Sequence, residues 1–150
     1  MGNLVVQLFH NRVFVTVLVA WLIAQSAKVF LGVINEKRFN FRWFVDTGGM
    51  PSSHAATVSA LATAIGLKYG VQSSVFALTL VFAWIVLMDA QGFRRSAGRQ
   101  AELLNMILDD IYWKKKIKEE RLKELLGHTP IEVFIGAIIG ILVALIFNIR

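Results

Sequence analysis

Apolar residues in this chain fall into four long runs separated by polar segments. The first, residues 4–34, is interrupted early by His10, Asn11 and Arg12 and ends at Asn35-Glu36-Lys37-Arg38. Because a helix needs roughly 20 apolar residues to cross a bilayer, a spanning helix is expected from about Val13 to Ile34. It carries Lys28 near its charged end, within snorkelling reach of the surface. Residues 53–69 are rich in Ala, Ser and Thr, and such small residues let membrane helices pack closely, so this run is expected to be an inner helix enclosed by the others. Gly70 and Gln72-Ser73-Ser74 form a turn, residues 75–92 form the most apolar run, and residues 131–149 form the last span. Gly136 and Gly140 in that span have small-xxx-small spacing and offer a contact for a homo-oligomer.

The polar segments have structure of their own. Residues 36–49 hold Lys37, Arg38 and Arg42 interleaved with Phe39, Phe41, Trp43 and Phe44, the mixture of an interfacial belt. Residues 93–108 read as an amphipathic helix through Ala101, Leu104 and Ile107. The charged stretch from Asp109 to Leu126 keeps apolar residues at helical spacing. That fits a helix on the membrane surface or over the mouth of the bundle, and equally a solvated helical hairpin. There is no low-complexity tract and no internal repeat.

Composition agrees with a membrane protein. In 150 residues, 56% are hydrophobic and the mean hydropathy is +0.60, too apolar for a soluble domain with an ordinary surface. With no cysteine, neither a disulfide framework nor a thiolate metal site is available. Residues 13–27 could pass for a signal-peptide core with Ala24 and Ser26 at a cleavage site, but we expect the segment to be retained as a span. The net charge of +6 does not point to nucleic acid, because the cations crowd the loops beside apolar runs, as cytoplasmic loops do. If the run after residue 53 crosses, the loops at 36–49 and 93–126 share the cytoplasmic face, and the 70–74 turn and both termini lie outside. The expectation is one all-α domain over residues 1–150, a polytopic bundle of about four spans. A charged, amphipathic helical segment covers its cytoplasmic face, and a bacterial inner (plasma) membrane is the expected location.

This topology brings chemistry together. Thr47-Gly48-Gly49-Met50-Pro51-Ser52-Ser53-His54 has glycines that allow close backbone approach, a proline suited to a first helical turn, and Ser52 or Ser53 to cap the helix that follows. It reads as a phosphate cradle at a helix N-terminus, although Gly/Pro/Ser clusters also make ordinary turns. Lys28, His54, Arg94, Arg95 and His128 then share one membrane edge, where ionisable residues are functional candidates. Asp89 beside the two arginines has an ordinary explanation as an interfacial ion pair. His10 lies toward the opposite face and has no assigned role. Two imidazoles, several cations and a glycine-rich helix start suit phosphoryl transfer, in which one histidine attacks phosphorus and the other protonates the leaving oxygen. Neither metal nor nucleotide is required. If the last helix extends back through His128, Glu132 at i+4 lies on the same face and can hold its tautomer. Thr129-Pro130-Ile131-Glu132 also fits a capping box, so both roles stay open.

Three segments carry a resemblance: Gly48-Gly49-Met50-Pro51-Ser52-Ser53-His54; Asp89-Ala90-Gln91-Gly92-Phe93-Arg94-Arg95 with Ala97-Gly98-Arg99-Gln100-Ala101-Glu102-Leu103-Leu104-Asn105; and Gly127-His128-Thr129-Pro130-Ile131-Glu132-Val133. Together they resemble the divergent type-2 phosphatidic acid phosphatase family, related to acid phosphatases and vanadium-dependent haloperoxidases. The resemblance implies a membrane phosphatase in which Lys28, Arg38, Gly48, Gly49, Ser52, Ser53, Arg94 and Arg95 bind the phosphate. His128 would be the nucleophile, His54 the general acid and Glu132 the partner of His128. Ser53 stands where the larger superfamily has glycine. No histidine lies five residues after Arg94 or Arg95, so His128-x3-Glu132, beyond the charged insertion, takes the place of the usual His-x3-Asp. The expected activity is hydrolysis of a lipid phosphate, such as phosphatidylglycerol phosphate or an isoprenyl phosphate or diphosphate, through a phosphohistidine and without a cofactor. The alternative is a non-catalytic membrane protein that binds anionic lipid headgroups or a partner. A vanadate-dependent oxidase is a distant third.

Overall fold

A computed structural model describes residues 3–37, 49–91, 100, 103–106 and 128–148. These residues form an all-helical bundle with no strand among them: α1 (Leu4–His10), α2 (Arg12–Glu36), α3 (Ser53–Tyr69), α4 (Ser74–Gln91) and α5 (Pro130–Asn148). The polar interruption in the first run is a helix cap. Asn11 Oδ1 accepts hydrogen bonds from the N–H groups of Val13 at 3.1 Å and Phe14 at 3.4 Å, which ends α1 and starts α2. At the other end Lys37 takes a left-handed conformation, φ 52°, and its N–H closes on Val33 O at 2.9 Å.

α3 sits at the centre, packed against α2, α4 and α5. Its inward residues are small: Ala55, Ala56, Ala60 and Ala64 are fully buried. Its two threonine hydroxyls are satisfied within the helix, Thr57 Oγ1 donating to Ser53 O at 2.7 Å and Thr63 Oγ1 to Ser59 O at 2.8 Å, as an apolar surrounding demands. Ser52 caps it, with Oγ accepting from Ala55 N–H at 3.3 Å. Pro51 therefore precedes the cap instead of occupying the first helical turn, because Ser52 holds the cap position. Gly70, φ 80°, terminates the helix with its N–H on Gly66 O.

Around this core stand three helices long and apolar enough to cross a membrane, over Arg12–Ile34, Ser74–Gln91 and Pro130–Phe147. α3 has 17 residues, about 25 Å at 1.5 Å per residue, which is compatible with a fourth crossing. Large apolar side chains point outward, among them Leu78, Ile85 and Ile146. In water such a surface would drive association, whereas in lipid it is the expected face, and close packing holds the helices together.

The two glycines of α5 contribute to that packing inside the chain. A Cβ on Gly136 would overlap Ser52 O and come within 3.1 Å of Ala55 Cβ; one on Gly140 would overlap Ala56 O and lie 2.9 Å from Ala60 N. The small-xxx-small stripe expected to serve an oligomer is thus occupied by α3. The expected interfacial loop at 36–49, the amphipathic helix at 93–108 and the charged stretch 109–126 lie outside the described residues, apart from Glu36, Lys37 and Gly49 in the loop and residues 100 and 103–106.

Candidate active site

Chain direction puts the chemistry at one end of the bundle. α2 and α4 run toward that end, and α3 and α5 both start there, side by side and parallel. The two starts are tied directly: Ser52 N–H donates to Glu132 O at 3.0 Å. Each helix therefore presents its N-terminus, the positive end of its dipole, to the same small volume.

Glu132 sits in the first turn of α5 and its Oε2 accepts twice. One bond comes from Thr129 N–H at 3.1 Å, and the return bond from Glu132 N–H to Thr129 Oγ1 measures 3.4 Å, a reciprocal capping box with Pro130 at the first helical position. The other partner is His128 Nδ1 at 3.0 Å. The two roles left open for Glu132 are thus compatible, since one oxygen is placed for both. His128 lies before the helix instead of within it, because Thr129 and Pro130 set the helix start; the capping box, not the helical i, i+4 register, brings it to Glu132. The His128 side chain is 1% exposed and that of Glu132 19%.

Facing this pair is His54, the second residue of α3. Its ring centroid is 6.4 Å from that of His128, with the planes inclined by 59°. Nδ1 of His54 and Nε2 of His128 are both buried atoms. With the His128 proton on Nδ1, directed at Glu132, its lone pair is on Nε2.

Lys28, near the end of α2, is only 6% exposed. It does not snorkel to the surface; its aliphatic stem lies beneath Gly49, where an added Cβ would stand 3.7 Å from Lys28 Cγ and 3.9 Å from Cδ. Gly49 itself has φ +88°, a conformation other residues adopt at a cost. Gly49 of the cradle thus meets Lys28, while His54 at its end faces His128. Asn105, from the second resembling segment, is also buried. Arg38, Gly48, Arg94 and Arg95 lie outside the described residues. The Lys28–Gly49 contact was not anticipated, and no spacing in the sequence signals it.

The sequence profile of the divergent PAP2 family matches residues 9–143. The chain belongs to this family. It is also 40% identical over 151 aligned positions to the uncharacterized membrane protein YuiD of Bacillus subtilis, covering 93% of this chain and 96% of that one. No solved structure matches it. Family membership and the apolar helices make the chain an integral membrane protein related to phosphatases. The matched region contains both histidines, Lys28, Glu132 and the cradle.

Proposed function

We propose that this divergent PAP2 protein is a metal-independent lipid-phosphate phosphatase acting at the cytoplasmic face of a bacterial plasma membrane, with both termini outside. The observation that carries this reading is the constellation at the paired helix starts: His128 hydrogen-bonded through Nδ1 to Glu132 at 3.0 Å, with His54 6.4 Å away across the same volume. Such spacing lets both imidazoles address one phosphoryl group.

In the proposed reaction His128 Nε2 attacks phosphorus and forms the N–P bond as the P–O ester bond breaks. Protonated His54 gives its proton to the departing lipid oxygen. Water, deprotonated by His54, then attacks the phosphohistidine, releasing inorganic phosphate and restoring His128. Glu132 balances the positive charge that develops on the imidazole, and Lys28, Arg38, Arg94, Arg95 and the amides around Gly48 and Gly49 neutralise the phosphoryl oxygens. Ser52 and Ser53 shape the cradle at the start of α3.

The test is phosphate release from a panel of lipid phosphates in detergent micelles with chelator present. His128→Ala and His54→Ala should each abolish turnover in folded protein. Absence of release from every substrate by folded wild type would reduce the site to an anion-binding one, and activity that survives His128→Ala would reject the nucleophile.

A further inference from the structure

Two cavities lie along α4 and share Leu87 in their linings, one against α5 and one against α3 with Ile141 of α5 at its edge. The one at the site end, about 500 Å³, is lined by Leu87 and Gln91 of α4 and by Pro130, Ile131, Val133 and Phe134 of α5. In sequence, its lining residues Pro130 and Ile131 stand two residues after His128 and one before Glu132. The second, about 450 Å³, continues toward the opposite membrane face between Leu80, Trp84 and Leu87 on one side and Ile141 on the other, with α3 as its floor. Among the described residues no charged side chain lines either cavity, and the Thr63 hydroxyl in the floor is turned back onto Ser59 O at 2.8 Å. Both walls belong to apolar helices of spanning length. A furrow of this kind, open sideways in the hydrocarbon layer, is filled by hydrocarbon and not by water.

Phe76 stands at the far end. The Phe76 ring lies on Gly66 so tightly that an added Cβ there would be 2.9 Å from Phe76 Cε2, and Val71 of the α3–α4 turn lines the same end. From Phe76 to Gln91 the furrow is ~22 Å long at 1.5 Å per residue. One leaflet of a ~30 Å hydrocarbon core is about 15 Å deep. The furrow outruns a single leaflet.

We propose that the α4–α5 furrow seats one long hydrocarbon chain of the phosphate ester, with the phosphate at His128 and the chain end stopped by Phe76, so that the protein selects single-chain lipid phosphates by length. This rests on the lipid-phosphatase reading. It goes further in naming the substrate class and the residues that measure it: Phe76 at the stop, with Leu80 and Ile141 at the waist.

The experiment compares phosphate release from isoprenyl monophosphates and from n-alkyl monophosphates, each of rising chain length. kcat/KM should climb to a limiting length and then fall, and the series that shows the limit tells isoprenoid from acyl-like chains. Ile141→Trp should lower the ratio of long-chain to short-chain kcat/KM by roughly tenfold or more, the discrimination that a methylene or two gives in an apolar pocket. Phe76→Ala should move the limit to longer chains, and Ile85→Trp, on the lipid-facing side of α4, should leave the ratio unchanged. Release with a ratio indifferent to Ile141→Trp and Phe76→Ala overturns the furrow and leaves the phosphatase reading intact. If wild type releases no phosphate, a long-chain alkyl monophosphate with a terminal diazirine decides. Labelling of Leu80, Trp84 and Ile141 in excess over Leu78 and Ile85, competed by unlabelled ester, keeps the furrow as a lipid site without the phosphatase; even labelling around α4 rejects it.

Discussion

Glu132→Gln separates the two tasks of one oxygen. In the folded protein Glu132 Oε2 accepts from both His128 Nδ1 at 3.0 Å and Thr129 N–H at 3.1 Å. A glutamine placing its carbonyl oxygen at the same point can accept both bonds, so the variant keeps the cap and the imidazole tautomer and removes only the negative charge. For stability, the loss is a charge beside a helix N-terminus, about 0.3–1 kcal/mol, plus the weakening of two charge-assisted hydrogen bonds by roughly 1 kcal/mol each. The variant should fold, with stability lowered by about 1–3 kcal/mol. For turnover the loss is larger, because a carboxylate about 4 Å from a developing imidazolium contributes on the order of 4 kcal/mol at an effective dielectric of 20. Turnover should therefore fall by roughly 10²–10³-fold. Glu132→Ala additionally loses the reciprocal cap, worth about 1 kcal/mol, and frees the tautomer. Phosphate release and thermal unfolding in the same detergent measure the two effects separately, and ¹⁵N chemical shifts of His128 report the tautomer without any substrate. Wild-type turnover by folded Glu132→Gln, or a His128 proton found on Nε2 in wild type, would refute the orienting role and leave Glu132 as a cap alone.

Three further outcomes are expected. Gly136→Ala and Gly140→Ala should each destabilise the bundle by about 1–3 kcal/mol in detergent unfolding, since the added methyl meets α3 backbone that cannot yield; neither should alter cross-linked oligomer size, because that stripe is used within the chain. Lys28→Met keeps the stem against Gly49 but removes the ammonium, and should weaken vanadate inhibition by roughly ten- to a hundredfold, the worth of one hydrogen bond to a charged group. Because the chain has no cysteine, Gln72→Cys and Thr129→Cys can be labelled singly with an impermeant maleimide. Gln72→Cys should react in intact cells and Thr129→Cys only in inverted vesicles, and reaction of both from one side would show that α4 does not cross.

Helix positions were largely legible because their ends are written locally. Ser52 and Gly70 bound α3 at Ser53–Tyr69, and Thr129-Pro130 starts α5, within a residue of where the apolar runs place them. Partner choice was not legible. Small-xxx-small spacing marks Gly136 and Gly140 as a contact surface but does not say which helix receives it, and α3, itself lined with alanine, is near enough to claim it. The same holds for Lys28: a lysine close to a helix end reaches for water unless something covers that end, and what covers its stem here is Gly49, twenty-one residues away in sequence. The His128–Glu132 pair was legible as a spacing, yet its geometry arises from a capping box, a conformation that the i, i+4 rule alone does not describe.

That difference matters for how the site is held. α3 and α5 are parallel neighbours, and two helix N-termini side by side place like partial charges together, which is unfavourable unless negative charge lies between or beside them. The Glu132 carboxylate offsets part of this, and the Ser52 N–H bond to Glu132 O fixes the distance between the two starts. Glycines 136 and 140 make the parallel contact sterically feasible by letting the α5 backbone rest on Ser52 and Ala56. The imidazoles of His54 and His128 owe their 6.4 Å separation to this arrangement, each being carried by one of the two helix starts. A bundle that packed α5 against α3 in the opposite direction would lose both the paired dipoles and the paired histidines. The direction of α5, which starts at the end of the bundle where α4 finishes, is therefore the feature of the fold on which the proposed chemistry depends.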